Sequence, residues 1–489
     1  MRSISLVSVA MLALAGCQGR HEEPGTPAPT PVPAAVVDAR ATRATVSVAK
    51  LVPEGEASTR PTKQVLFGDL HVHTTFSPDA FVRTLPMLQG EGAHPPADAC
   101  DFARFCSDLD FWSINDHAEA VSPQHWQETK EAIRQCNAVA DPQHPDVVAF
   151  LGWEWTQVGV TAKEHYGHKN VILKETAEDK VPARPISALD ANLIAALRRP
   201  PPLKQRLMFP VLDFANRQRY FDFGQFQAEL RDLPLCAEGV DTKLLPVNCS
   251  EVAHNPQELF EKLAQWGGDS IVIPHGTTWG FYTPPGSGWD KQLTPAMQDP
   301  DRQTLIEVFS GHGNSEEYRD WKDIDYDEQG TPVCPPPTAN YQPCCWQAGE
   351  IIRSRCGDAP KEECERRVAL ARVNFLMGEV GGRMSVPATQ VEDWKDCGYC
   401  RDCYLPAYNT RPKSSVQYIM ALDKPENPAR QQKFTFGFIA SSDNHSARPG
   451  VGYKEQFRKR YTEAAGAKSA EWRDRLIGSL ANAHPDPES

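Results

Sequence analysis

The sequence predicts an α/β fold, and two observations carry that expectation. Short apolar, β-branched runs alternate with helical segments along most of the chain. Histidines and acids then recur where those runs end. The runs are "VLFGDL", "DFWSIND", "VVAFLG", "KNVILK", "SIVIP", "TLIEVF" and "FTFGFIAS", each short and bounded as a buried strand should be. Between some of them lie well-signalled helices. "SPQHWQETKEAIRQCNAVAD" opens with Ser122 as N-cap and Pro123 at the first helical position. "NPQELFEKLAQWGG" repeats that grammar with Asn255, Pro256 and a stop at Gly267. Its Leu259, Phe260, Leu263 and Trp266 form one apolar stripe, which reads as core. Alternating strands and helices imply a parallel sheet or a barrel.

Two stretches interrupt the alternation, about 175–250 and 285–430. They read as insertions built over the strand ends. The N-terminus differs in kind. Arg2 precedes an apolar run from Ile4 to Ala15, too short to span a bilayer and suited to a signal segment. It ends in "LAGC", which resembles the lipobox of bacterial lipoproteins. That resemblance implies a signal peptide over 1–16, a lipidated Cys17 as mature N-terminus and, with Gln18 next, a place on the outer membrane. A Pro/Ala-rich stretch over 17–62 reads as a flexible tether. The globular part is expected over 63–465, with a C-terminal helix and tail over 466–489.

The formal net charge is −13 and is spread along the chain, which disfavours a nucleic-acid partner. A small, anionic molecule is the expected substrate, and the membrane is expected to be met only through the N-terminal lipid. The chain has 14 cysteines. Setting Cys17 aside leaves an odd number, so at least one thiol should stay unpaired. For an exported chain the rest read as disulfides that staple loops. "CGYCRDC", with Cys397, Cys400 and Cys403, also admits a metal reading but needs a distant fourth ligand.

The chemistry is expected at the strand ends. His71 and His73 share one face of the first strand, and Asp79 follows in a Ser-Pro turn. Asp116 and His117 end the second strand, Glu154 follows the third and His168 precedes the fourth. His275 ends the fifth, and Asp443 and His445 end the last. Strand ends of one barrel face converge, so these residues would line a single pocket. Imidazole with carboxylate suits zinc, manganese or iron.

In this order, "DLHVHTTFSPD", "NDH", "GWE", "GHKN", "PHG" and "SDNH" resemble the motifs of the polymerase and histidinol phosphatase (PHP) superfamily. "SGHGNSE" and the longer spacings resemble its large branch of uncharacterised exported proteins. The resemblance spans most of 64–455. It implies a distorted (β/α)7-type barrel with long loop insertions over the C-terminal face of the strands. It also implies two or three divalent metal ions held by His71, His73, Asp79, His117, Glu154, His168, His275, Asp443 and His445.

The expected function is a metal-dependent hydrolase, a phosphoesterase above all, using a hydroxide held between metals. Glu154 would bridge two metals, and Glu154 and Asp443 are counted as catalytic. Asp116 either orients an imidazole or is itself a ligand. His312 is a candidate proton donor. Arg448 and Asn314 are candidates for gripping the substrate; Lys169 and Asn170 are weaker ones. Two other readings stand beside this: hydrolysis of a non-phosphate ester, lactone or amide, and a non-catalytic binding lipoprotein on a relic barrel.

Overall fold

The computed structural model describes residues 23–49, 65–188 apart from 89 and 91, 203–277, and 283–310 apart from 285. It further describes 313–314, 322–398 apart from 330, 412–422, 433–451, and 468, 469, 471, 472 and 475. Cys17, His312, Cys400, Cys403 and most of the C-terminal segment lie outside these residues.

The elements run in this order. Helix α1 (Ala34–Ala49) precedes β1 (Gly68–Val72), α2 (Pro78–Thr84), α3 (Pro96–Phe105) and β2 (Phe111–Ile114). Then come α4 (Pro123–Ala138), β3 (Val148–Phe150), β4 (Gly152–Trp155) and β5 (Lys169–Leu173). The first insertion holds β6 (Ile186–Ser187), α5 (Leu203–Leu212) and α6 (Arg217–Arg231). β7 (Glu251–Val252), α7 (Pro256–Trp266), β8 (Ser270–Pro274) and β9 (Leu305–Ser310) follow. The second insertion holds β10 (Gly313–Asn314), β11 (Asp325–Tyr326), β12 (Pro332–Val333), α8 (Cys344–Ser354), α9 (Lys361–Met377) and α10 (Val416–Ala421). β13 (Gly437–Ala440) closes the list.

A strand falls on each apolar run named above, and the helix signals hold; Glu154, expected after a strand, lies within an additional one, β4. The Ser122 side chain accepts from His125 N–H, with Pro123 in the first turn of α4. The Asn255 side chain accepts from Glu258 N–H at the start of α7. Gly267 ends α7 in the left-handed conformation at φ 82°, which a residue with a Cβ adopts at a cost. Leu259, Phe260 and Leu263 of α7 are buried, with Trp266 packed alongside.

The architecture is mixed α/β, but the sheet is not uniformly parallel. β1, β2 and β3 pair in parallel, and so do β9 and β13. β5, however, runs antiparallel to both β4 and β8. The reason lies in the connection 156–168, which forms turns and no helix. Returning the chain to the starting end of a strand takes a crossover, usually helical; without one it doubles back.

Hydrogen bonding is divided among separate small sheets, and no closed barrel ladder is formed among the described residues. Isolated parallel bridges join their edges, at Val72–Asn444 and at His117–Glu154. Gly152, the first residue of β4, allows close approach of β5: a Cβ there would lie 2.6 Å from the Val171 carbonyl oxygen.

The main core lies between this sheet system and its helices, with Trp112, Trp126, Trp153 and Trp155 at its centre. In the first insertion α6 packs Phe226 and Leu230 on Phe81 of α2 and on Ala120. In the second, α8 and α9 form a small unit with a core of its own, including Ile351, Val368 and Trp394. Disulfides Cys334–Cys345, Cys344–Cys397 and Cys356–Cys364 staple it, while Cys100–Cys136 and Cys236–Cys249 fasten other parts of the chain. Because Cys397 is spent on Cys344, "CGYCRDC" cannot offer three thiolates to a metal. Among the described cysteines Cys106 is free and exposed. Disulfides in this number fit an oxidising, extracytoplasmic compartment. No helix among the described residues is long and apolar enough to cross a membrane.

The flexible tether expected over 17–62 is corrected for residues 24–43, which contact the domain. Pro24 O accepts from Ala97 N (3.0 Å), Ala28 N donates to Asp101, and Val32 N donates to Asp146 Oδ2 (2.8 Å). The buried Arg104 donates to the Ala28 and Thr30 carbonyls and to Asp146. Arg40 of α1 donates to the Asp146 carbonyl and pairs with Asp108. Proline-rich composition hid this because backbone carbonyls and amides, which every residue carries, make most of the contacts.

Candidate metal centre

The site begins with β1. Alternation along the strand turns His71 and His73 to one side, and both are fully buried. Asp69, also buried, fixes the strand's neighbours: it accepts from His71 N, Ser442 N (3.0 Å) and Gly450 N (2.7 Å). The loop after β13 is thereby held against β1. Asp443 N donates to His71 O and His73 N donates to Asn444 O (2.8 Å). Asp443 itself has φ 51°, an uncommon backbone state for a residue with a side chain. The strained turn aims its carboxylate at the two imidazoles, with Oδ1 3.2 Å from His71 Nε2 and 3.4 Å from His73 Nε2.

Glu154 on β4 is the hub. Its Oε2 lies 3.2 Å from His73 Nε2, 3.2 Å from His117 Nδ1 and 3.6 Å from His71 Nε2. Its Oε1 lies 2.6 Å from His168 Nδ1 and 3.4 Å from His275 Nε2. At the rim, Asp79 in the first turn of α2 reaches His445 Nε2 (3.0 Å) and His117 Nε2 (3.4 Å). Its side chain is 41 % exposed against 1 % for Glu154, so the site opens on the Asp79 side. The structure thus draws together every residue expected as a ligand, from segments hundreds of positions apart.

Hydrogen-bonding roles can be deduced around three of the rings. His71 Nδ1 lies 2.9 Å from Glu307 Oε2, and an ionised carboxylate only accepts, so Nδ1 carries the proton. Ser77 Oγ donates to Asp116 Oδ1 (2.8 Å), leaving it to accept from His73 Nδ1 (2.9 Å) and His117 N (3.1 Å). His445 Nδ1 donates to the Asp443 carbonyl (3.1 Å). Each ring therefore turns its Nε2 inward. His71 Nε2 and His73 Nε2 lie 3.2 Å apart, with carboxylates around them and no fixed donor between. Such an arrangement is stable only with positive charge in its midst, a proton or a cation.

Burial and neighbours set the protons the rings hold without metal. Burial pulls His71 down, but Glu307 and Glu154 more than offset it and raise the ring to about 10. His117 is likewise raised to about 9, by Glu154 and Asp79 against burial. Burial lowers His73 to about 3, with His445 and His117 adding to the effect. His275 falls to about 4, through burial and the nearby His71. Glu154 stays ionised well below the usual carboxylate range: against burial, His117, His168 and His275 favour its charge.

These buried groups could hold metal ions. Ligand atoms lie within 4.8 Å of one another in three groups: His73, His117, His445; His71, Glu154, His275; and His71, His73, Asp443. His275 is 1 % exposed and makes no hydrogen bond with either ring nitrogen, as a ring awaiting a cation would.

Asp116 is engaged otherwise. It accepts from Thr74 N, Thr74 Oγ1 and Ser77 Oγ, all at 2.7–2.8 Å, so it orients His73 through Ser77. Sequence reasoning missed Glu307, Ser77 and Asp69. Glu307 and Asp69 left a signal, an acid inside an apolar strand run. Ser77 left none, because serine is ordinary in a turn.

Of the expected substrate contacts, His312 lies outside the described residues. Arg448 lines a cavity of about 630 Å³ together with His94, Asp98, Phe105 and Cys106. Asn314 pairs through its backbone with Phe309 on β9. Lys169, buried, donates to Tyr166 O and Gln292 beneath Trp155 and Trp289, and burial beside Lys291 lowers it to about 7. Asn170, facing Glu154 across the β4–β5 pair, is buried with no hydrogen bond to its amide. In comparisons with protein-family models and with curated proteins, the chain matches none.

Proposed function

We propose that the chain is a metal-dependent hydrolase of the PHP kind, a phosphoesterase, exported and held by a lipid on Cys17. The proposed architecture is the distorted (β/α)7-type barrel, supported by the bridges that link the edges of successive sheets. One observation carries the functional reading: imidazole nitrogens and carboxylate oxygens from six segments of the chain converge in one buried cluster, with ligand atoms within 4.8 Å of one another in three groups.

His71, His73, Asp79, His117, Glu154, His168, His275, Asp443 and His445 would hold two or three divalent ions, zinc, manganese or iron. Bound there, the ions would supply Lewis acidity, making water acidic and drawing charge from substrate oxygens. The chain's own part is positional. Glu307, the Ser77–Asp116 pair and the Asp443 carbonyl hold three rings in one tautomer. Burial of Glu154 and Asp443 keeps bulk water from competing for their oxygens. Substrate would enter past Asp79. His312 would protonate the leaving oxygen, and Asn314 and Arg448 would contact the substrate's anionic group.

The test is a metal count on the purified full chain, with turnover of phosphomonoesters, phosphodiesters, carboxylic esters and lactones. The reading expects bound transition metal and phosphate release that a chelator abolishes. A chain that takes up no metal sinks it. Turnover of carbonyl substrates alone removes the phosphoesterase assignment and keeps the hydrolase; metal binding without any turnover favours the relic barrel.

A further inference from the structure

The first insertion presents a surface that the metal centre does not use. Leu207, Val211, Leu212 and Phe214 are 53, 73, 45 and 65 % exposed. Single exposed apolar residues are ordinary, but four large ones within 207–214 are not. Leu207 and Val211 share a helical face, and Phe214 continues it past the end of α5. The opposite side of the segment is anchored: Phe209 packs with Leu85, Met87 and Tyr220, and Pro210 is buried. α6 then rests on Phe81, two residues beyond Asp79. The hairpin that carries the patch is therefore packed on α2, the helix that holds Asp79, and on the residues just after it.

Its charge is the second observation. Although the whole chain is acidic, residues 197–219 carry Arg198, Arg199, Lys204, Arg206, Arg217 and Arg219 against Asp213 alone. Arg217 lies over the Phe214 ring at 4.2 Å, a cation stacked on an exposed aromatic face. Apolar side chains within a basic stretch of sequence fit an anionic lipid surface, where the apolar groups enter the acyl boundary and cations meet phosphates. Another exposed stripe, Leu370, Val373 and Met377 on α9, sits among Arg366, Arg367, Glu363 and Glu365 and has no such bias.

We propose that the α5–α6 hairpin is a membrane-contacting surface that recognises anionic phospholipid through Leu207, Val211, Leu212, Phe214 and the flanking cations. It acts in addition to any lipid on Cys17 and does not rest on the hydrolase reading. Contact there sets the mouth of the metal site, on the Asp79 side, near the bilayer.

The experiment uses the mature chain carrying Cys17→Ser, so that no acyl chain is attached. Sedimentation with phosphatidylglycerol-containing vesicles is compared with pure phosphatidylcholine. Binding is expected to the anionic vesicles and to weaken with salt. Val211→Ser with Phe214→Ser should weaken it more than about tenfold, and Lys204→Gln or Arg206→Gln about fivefold each. For the Val211/Phe214 variant, metal content and melting temperature should not change, since both side chains are exposed. Phe214→Trp should shift its fluorescence to the blue on vesicles. Equal binding to both lipids, or undiminished binding by the Val211/Phe214 variant, overturns the proposal. A Phe214-dependent dimer without vesicle binding also overturns it and assigns the patch to a second copy.

Discussion

At the scale of single residues, the site rests on groups that decide where protons sit. Glu307→Gln replaces an obligate acceptor with an amide that can also donate, freeing His71 to turn. We expect metal affinity to fall about 10–100-fold, read by competition with a chromogenic chelator. Glu154→Gln removes the charge that faces five imidazoles; turnover should fall by at least about 100-fold while the chain stays folded.

The pH dependence has a definite sign. Without metal, His71 and His117 are raised to about 10 and about 9, so both hold protons at neutral pH. Coordination needs neutral rings, so metal must displace those protons. Apparent affinity should rise roughly tenfold per pH unit for each proton released, until those values are passed. Calorimetric titration in buffers of different ionisation enthalpy would count the protons; an affinity unchanged between about pH 6 and 8 contradicts the account.

At the scale of elements, the N-terminal segment belongs to the fold. Residues 24–40 satisfy Arg104 and Asp146, which are 1 and 3 % exposed. Asp146→Ala leaves the Arg104 guanidinium buried with its strongest partner gone. A loss of about 3–5 kcal/mol is expected in urea unfolding. Starting the chain near residue 60 should also destabilise it, by about 1.5–3 kcal/mol per charged hydrogen bond lost, less what water restores at the uncovered groups. The strands and α4 and α7 were legible because alternation, caps and stops are local signals. The reversal of β5 was not, because strand direction depends on where a connection leads, and 156–168 carries no periodicity to show it.

At the scale of the molecule, the metal centre and the α8–α9 unit have separate cores. Replacing Cys344 and Cys397 together by Ala should therefore lower the first melting transition, that of the α8–α9 unit, while metal uptake by the candidate centre is kept. Calorimetry alongside a metal assay separates the two; metal lost with the first transition would mean that they unfold as one.

By itself the sequence determined the α/β class, and its motifs pointed to the residues that the fold draws together, since ligand chemistry restricts residue type and strand ends are where such residues collect. It also determined that an odd thiol must remain. Only the tertiary structure decided which nitrogen each ring turns inward, that Asp116 acts through Ser77, and that Glu307 shares the site. It also decided which cysteines pair and that a proline-rich leader is docked. Those outcomes depend on distances between segments remote in the chain, and residue type alone carries no distance.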